Sequence, residues 1–219
     1  MKCFVIAMES EAKPIIDAMR VFEDRKVGNK HIVRGQLFDR DVAVLVCGVG
    51  KVNAACGTQY AIDKLEADEI INIGVAGGLN DGLKVGKVYS ISQAVQYDFD
   101  LTQLNGTKIG TLDECKDNYL PLLKSRLYPL KNLATGDRFN DNKTDYLLLT
   151  QELNADIRDM ECGAVAQVCM HSAVPLRSYK IISDLAGSGS TTEQYLKNLT
   201  ECFDTLKSEL KNIAEEIYG

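Results

Sequence analysis

Short apolar runs alternate with stretches of helical periodicity along this chain. Cys3 to Ala7, His31 to Leu37, Val42 to Val46, Glu69 to Val75, Lys87 to Ser92 and Arg177 to Ser183 are brief and rich in Val and Ile, so they read as strands. The second and third flank Asp39-Arg40, which predicts a hairpin, while the other runs are separated by segments long enough for crossover helices. The expected fold is α/β, one domain over residues 1–219 with a central mixed, largely parallel sheet flanked by helices. Residues 51–65, 162–172 and 191–217 read as helices. The last begins Ser190-Thr-Thr-Glu193, a capping-box pattern. It continues with Leu196, Leu199, Phe203, Leu206, Leu210, Ile213 and Ile217 at helical spacing. Such a stripe packs on a sheet; the alternative is a partner-binding helix. No repeat, low-complexity stretch or linker interrupts the pattern.

Composition narrows the partners. The 219 residues are 45% hydrophobic and 26% charged, ordinary for a chain that buries a sizeable core. The net charge of −6 argues against a surface that neutralises phosphate backbones, so neither nucleic acid nor an anionic membrane is an expected partner. The seven cysteines contain no C-x-x-C pair and no accompanying His spacing, which suggests neither a zinc site nor a disulfide framework. The opening MKCFVIAM is too short for a signal peptide and acidic Glu9 and Glu11 follow it; no apolar run reaches membrane-spanning length. A cytoplasmic location is expected.

Five segments carry candidate chemistry. Met8-Glu9-Ser-Glu11 follows the first strand, at the carboxyl end where α/β sheets bind ligands, although both acids could merely complement the next helix's N-terminus. Cys47-Gly-Val49-Gly50 runs from a strand through a glycine turn into a helix; it matches a dinucleotide fingerprint only partly, because Asn53 replaces the third glycine. Asn72-Ile-Gly74-Val75-Ala76-Gly77-Gly78 is a second glycine-rich strand end, suited to close approach of a flat or sugar-bearing ligand or to a tight turn. Asp159-Met160-Glu161 precedes a small-residue helix, where a side chain can hold a diol or cap the helix. Ser183-Asp184 ends a buried strand, and Ser183 can orient the acid.

In this order, and with Tyr97-Asp-Phe-Asp-Leu-Thr102 and Thr135-Gly-Asp-Arg-Phe139 between them, the segments resemble the 5'-methylthioadenosine/S-adenosylhomocysteine nucleosidases of the nucleoside phosphorylase superfamily. The resemblance spans nearly the whole chain. It implies that Asp184 protonates the leaving adenine with Ser183 orienting it, that Phe139 stacks on the base, and that the backbone at Asn140 reads the purine edge. It implies further that Met160 and Glu161 hold the ribose hydroxyls, that Glu11 activates the attacking water, and that Met8 and Val49 line an apolar pocket for the 5' substituent. Val75, Ala76, Gly77, Asp159 and Lys180 complete the implied substrate site. The expected ligand is a small nucleoside, no metal or cofactor is required, and a homodimer is implied because the family closes its 5' pocket with a neighbouring subunit.

The chain departs from the family pattern at Val75, where Ser is usual, at Asp159, usually Glu, and at Lys180, usually Arg; the segment between Thr102 and Phe139 also looks short. Lys keeps the charge of Arg but loses its bidentate fork. Phosphorylases of the superfamily are the nearest alternative, but they place a phosphate-binding loop where Glu9 and Glu11 put negative charge here. Futalosine hydrolase, a non-catalytic nucleoside-binding protein and an NAD-dependent dehydrogenase complete the alternatives.

Overall fold

The computed structural model describes residues 1–219. In chain order it contains β1 (Lys2–Ile6), α1 (Glu9–Ile16), β2 (Met19–Val27), β3 (Lys30–Leu37), β4 (Arg40–Val46) and α2 (Lys51–Leu65). There follow β5 (Glu69–Gly78), β6 (Val88–Gln96), α3 (Thr102–Asn105), β7 (Leu120–Pro121), β8 (Leu130–Thr135) and α4 (Lys143–Leu147), the last running into a π-helical turn. The chain ends with β9 (Ile157–Asp159), α5 (Cys162–His171), β10 (Leu176–Leu185) and α6 (Thr191–Tyr218).

The centre of the sheet is parallel, with β4, β1, β5 and β10 side by side; antiparallel pairs lie outward, including the expected β3–β4 hairpin. Alternating residues of β1 serve opposite faces. Cys3 and Val5 pack with Ala54 and Ala61 of α2 and Val165 of α5, whereas Phe4 and Ile6 pack with Ile15 of α1 and Leu206, Leu210 and Ile213 of α6. The stripe on the last helix is therefore core, and Ser190 caps it by accepting the Glu193 N–H.

Four strands are absent from the sequence pattern, β2, β7, β8 and β9, and three of them change the shape. β2 extends the hairpin edge, while β8 and β9 link β6 back to β5, so β5, β10, β6, β8 and β9 form a closed circuit of pairings rather than an open sheet. One edge of β5 is shared: β1 pairs with Glu69 to Asn72, and β9 pairs with Gly77 and Gly78. Residues 73–76 of that edge have no strand partner, and the candidate cavity opens there.

Helix α2 lies close enough to β4 that only glycine fits at position 57. A Cβ there would meet Cys47 Cβ at 2.6 Å and Leu45 Cδ2 at 2.9 Å. Gly57→Ala should therefore destabilise the fold by about 1–3 kcal/mol, the usual cost of overpacking a core, despite alanine's better helix propensity. Chemical denaturation checks this; an unchanged or raised midpoint would show that the helix can shift freely.

Candidate active site

Glu11 sits at the third position of α1, directly beyond β1. Its Oε2 accepts the Met8 N–H at 3.1 Å, so it does cap its own helix. Its Oε1 does something a cap does not: it reaches across to the unpartnered edge of β5 and accepts the Val75 N–H at 2.8 Å. Gly74 makes this reach possible, since a Cβ at that position would stand 2.6 Å from Oε1. Burial pushes the Glu11 carboxyl up to about 7 against the two N–H bonds and the Lys180 charge. Glu9 takes no part; it is exposed and pairs with His31 at 2.8 Å.

Asp184 is aimed by a β-bulge. In the pairing of β10 with β5, Ile182 lies opposite Ala76 and Asp184 opposite Gly77, so Ser183 is the extra residue that re-aims the acid. The Ser183 hydroxyl lies 2.7 Å from Asp184 Oδ2, while Oδ1 is buried with no hydrogen-bond partner. Burial raises the Asp184 carboxyl above the ordinary aspartate range, opposed by Ser183 and by Arg158 nearby. A carboxyl oxygen left free beside a cavity is open to a hydrogen bond from what enters it.

Glu161 precedes α5, and its Oε1 accepts the Gly50 N–H at 2.8 Å. Gly50 adopts φ +99, a conformation that favours glycine, and so turns that N–H toward the acid. Burial, with Asp159 adding to it, pushes Glu161 up to about 7.

Glu11, Asp184 and Glu161 line one cavity of about 300 Å³, together with Met8, Val49, Val75, Ala76, Gly77, Phe139, Asp159, Met160 and Ser183. That size suits a small organic ligand. Phe139 is 51% exposed at the rim, with its ring edge-on to Tyr195 at 5.6 Å. Two expected residues fall outside the lining. Lys180 is 2% exposed and its Nζ is held by Asp159 Oδ2 at 2.9 Å; burial opposes its charge, but Asp159 together with Cys162 and Glu161 outweighs that and keeps its pKa above the ordinary lysine value. Asn140 turns its side chain to Asp145 at 3.0 Å. Although Asp159 borders the cavity, its carboxylate is also committed to the Thr135 hydroxyl at 2.6 Å and the Cys162 N–H at 2.9 Å.

Ala7, Arg138, Arg158 and Tyr195 line the cavity without having been singled out in the sequence. Arg138 pairs with Asp145 at 3.0 Å, and the Tyr195 hydroxyl lies 3.7 Å from Met8 Sδ. Arg138 stands inside the Thr135-to-Phe139 motif, which was signal enough; Tyr195 was masked by the apolar stripe beginning beside it. No group of three or more His, Cys, Asp or Glu side chains is placed to hold a metal ion.

The cavity can thus offer a carboxylate fixed by backbone donors, a second carboxyl with one free oxygen, and a third at a glycine turn. Comparison with known proteins adds to this. The model of the phosphorylase superfamily matches residues 2–218. A 5'-methylthioadenosine/S-adenosylhomocysteine nucleosidase of Geobacillus sp. is 32% identical over 213 residues, covering 90% of this chain and 91% of that protein. The Helicobacter pylori nucleosidase of the same description, solved with butyl-thio-DADMe-Immucillin-A, superposes with a TM-score of 0.88 at 26% identity, covering 98% of this chain and 97% of that one. The H. pylori futalosine hydrolase superposes with a TM-score of 0.89 at 24% identity and the same coverage, a likeness of fold.

Proposed function

We propose, for a chain that belongs to the phosphorylase superfamily, hydrolysis of the N-glycosidic bond of 5'-methylthioadenosine and S-adenosylhomocysteine, releasing adenine and the substituted ribose. One observation carries the reading: two buried carboxyls of the same cavity differ in the donors that meet their oxygens. Glu11 accepts a backbone N–H on each oxygen, which favours the anion that takes a proton from water. Asp184 Oδ1 has no donor, which favours the neutral acid that gives a proton to the base. Glu161 is the acceptor for the ribose hydroxyls, with Met160 beside it, and Phe139 covers the purine while the Asn140 backbone reads its edge.

Water rather than phosphate is the nucleophile in this reading, because Glu11 puts a carboxyl beside the nucleophile's place, the nearby cation Lys180 is already neutralised, and the cavity's unpaired Arg158 lies at Gly77 beside Asp184 instead. Lys180 is buried against Asp159 and does not reach the cavity. The test is to incubate purified protein with methylthioadenosine, adenosylhomocysteine, 5'-deoxyadenosine, inosine and futalosine, with and without phosphate, and to identify released base by chromatography. Adenine release independent of phosphate is expected. Release only with phosphate would make the protein a phosphorylase, and release from futalosine alone would move its specificity.

The protein is further proposed to be a cytoplasmic homodimer. No helix is long and apolar enough to cross a membrane. Val49 at the rim, Val52 at 75% exposure and Leu104 at 80% are apolar side chains that a second subunit would cover. Sedimentation at micromolar concentration should give about twice the mass of 24.1 kDa; a monomer there would defeat the proposal.

A further inference from the structure

We propose that Arg158 is a positioning residue for proton delivery from Asp184, a cation set beside the acid to stabilise the carboxylate that appears as the proton leaves. The inference rests on the reading of Asp184 as the acid. Its geometric basis is Gly77, whose two strand edges face Arg158 of β9 on one side and Asp184 of β10 on the other. A Cβ at Gly77 would meet Asp184 Oδ1 at 3.0 Å and Arg158 Nε at 3.2 Å, so the acid and the guanidinium share the space that glycine leaves open.

Arg158 is also the cavity cation without an assignment. Arg138 is paired with Asp145, and buried Lys180 with Asp159, whereas Arg158 enters no ion pair. Its neighbour, Asp184 Oδ1, is the one buried side-chain polar atom lacking a partner. The reaction connects these two facts. As the bond from the sugar's anomeric carbon to the base nitrogen breaks, its electron pair goes to the base. The base takes the proton from Asp184, and the electron pair of that O–H bond stays on the carboxylate. Ser183 donates to Oδ2 only, so the new charge on Oδ1 lacks a donor and Arg158 supplies the counter-charge. A contact ion pair would instead hold Asp184 ionised before the reaction and leave no proton to give. Proximity without contact favours the ionised form mainly where it counts, as charge develops.

Asp184 is also faced by Ser183, by Asp141 from the loop before α4, and by Tyr195 and Cys202 of α6, none of them cationic. Removing Arg158 therefore leaves no compensating positive charge. A general acid works while protonated, so the rate falls as pH rises through its pKa, and loss of a nearby cation moves that fall upward.

The experiment measures kcat against pH for Arg158→Met, Arg158→Lys and Asp184→Asn, on methylthioadenosine and on a nitrophenyl riboside whose leaving group needs no proton. Arg158→Met should lose about tenfold on methylthioadenosine and shift its alkaline limb upward by about one pH unit. Its rate on the nitrophenyl riboside should stay within about threefold, which also shows that the variant is folded, and Arg158→Lys should recover most of the loss. An unmoved alkaline limb, or equal losses on both substrates, would overturn the role of Arg158. If Asp184→Asn itself loses both substrates equally, the acid assignment fails instead, and the two failures are told apart.

Discussion

Glu11→Gln is expected to lower turnover by roughly 100-fold to 10,000-fold, the usual cost of losing a positioned general base, while nucleoside affinity stays near wild type. The amide keeps the shape of the carboxyl and can keep either the Val75 or the Met8 N–H as a partner, but it takes no proton from water. Retention of more than about a tenth of wild-type turnover would leave Glu11 with its helix-capping role alone. Stability supplies a second readout. Glu11 is raised from 4.5 to about 7 in the folded protein, so its contribution to stability is fully present below the unfolded value and is lost as pH rises through about 7. The span corresponds to about 3 kcal/mol. Glutamine does not titrate, and it leaves one N–H without its acceptor at a cost of about 1–3 kcal/mol. The variant should therefore be clearly less stable than wild type at pH 5 and close to it at pH 8, as thermal unfolding at the two pH values would show. A difference independent of pH would mean that Glu11 is not held near neutrality.

The parallel centre of the fold was legible because β1, β4 and β5 carry continuous apolar runs buried on both faces, and the mostly buried β10 holds Ile181-Ile182 at its middle. What escaped was whatever the neighbours impose. In β2 the charged residues Arg20, Glu23, Asp24, Arg25 and Lys26 dominate, and Val21 and Phe22 are exposed, as befits an edge strand that resists further pairing. β9 has three residues and a single fully buried one, Ile157; its pairings with β5 and β8 make it a strand. Arg158 went unnoticed with it.

The site shows the same division. Glu11, Glu161 and Asp184 stood out as candidates because each follows a strand or precedes a helix at the carboxyl edge of the sheet, and the family resemblance chose chemistry over capping for them. The bulge at Ser183 and the gap along β5 were not readable, since both are matters of register between distant segments. Asp159 and Lys180 look like two independent departures from the family pattern when read in sequence. In the fold they are partners at 2.9 Å, so the two departures meet in one buried ion pair. Val75 likewise costs less than its side chain suggests, because it is the backbone N–H at that position that binds Glu11.

Asp184→Asn is expected to be as inactive toward adenine nucleosides as Glu11→Gln, and the loss can be separated from loss of binding or of structure. The asparagine carbonyl can still accept from the Ser183 hydroxyl, which leaves the amide nitrogen where the orphaned Oδ1 now stands. Folding should be unharmed, since burial disfavours the ionised carboxylate and the neutral amide carries no such penalty. Affinity should change modestly, by roughly the 0.5–1.5 kcal/mol of one net hydrogen bond, because the amide still donates to a purine nitrogen. The rate should fall much further, since the amide has no proton to give and the base must then leave as an anion. A nitrophenyl riboside leaves without that proton, so it should recover much of the activity in the variant. Equal losses on both substrates would show that Asp184 supports the cavity wall rather than the reaction, and the search for the acid would have to move to another side chain of the cavity.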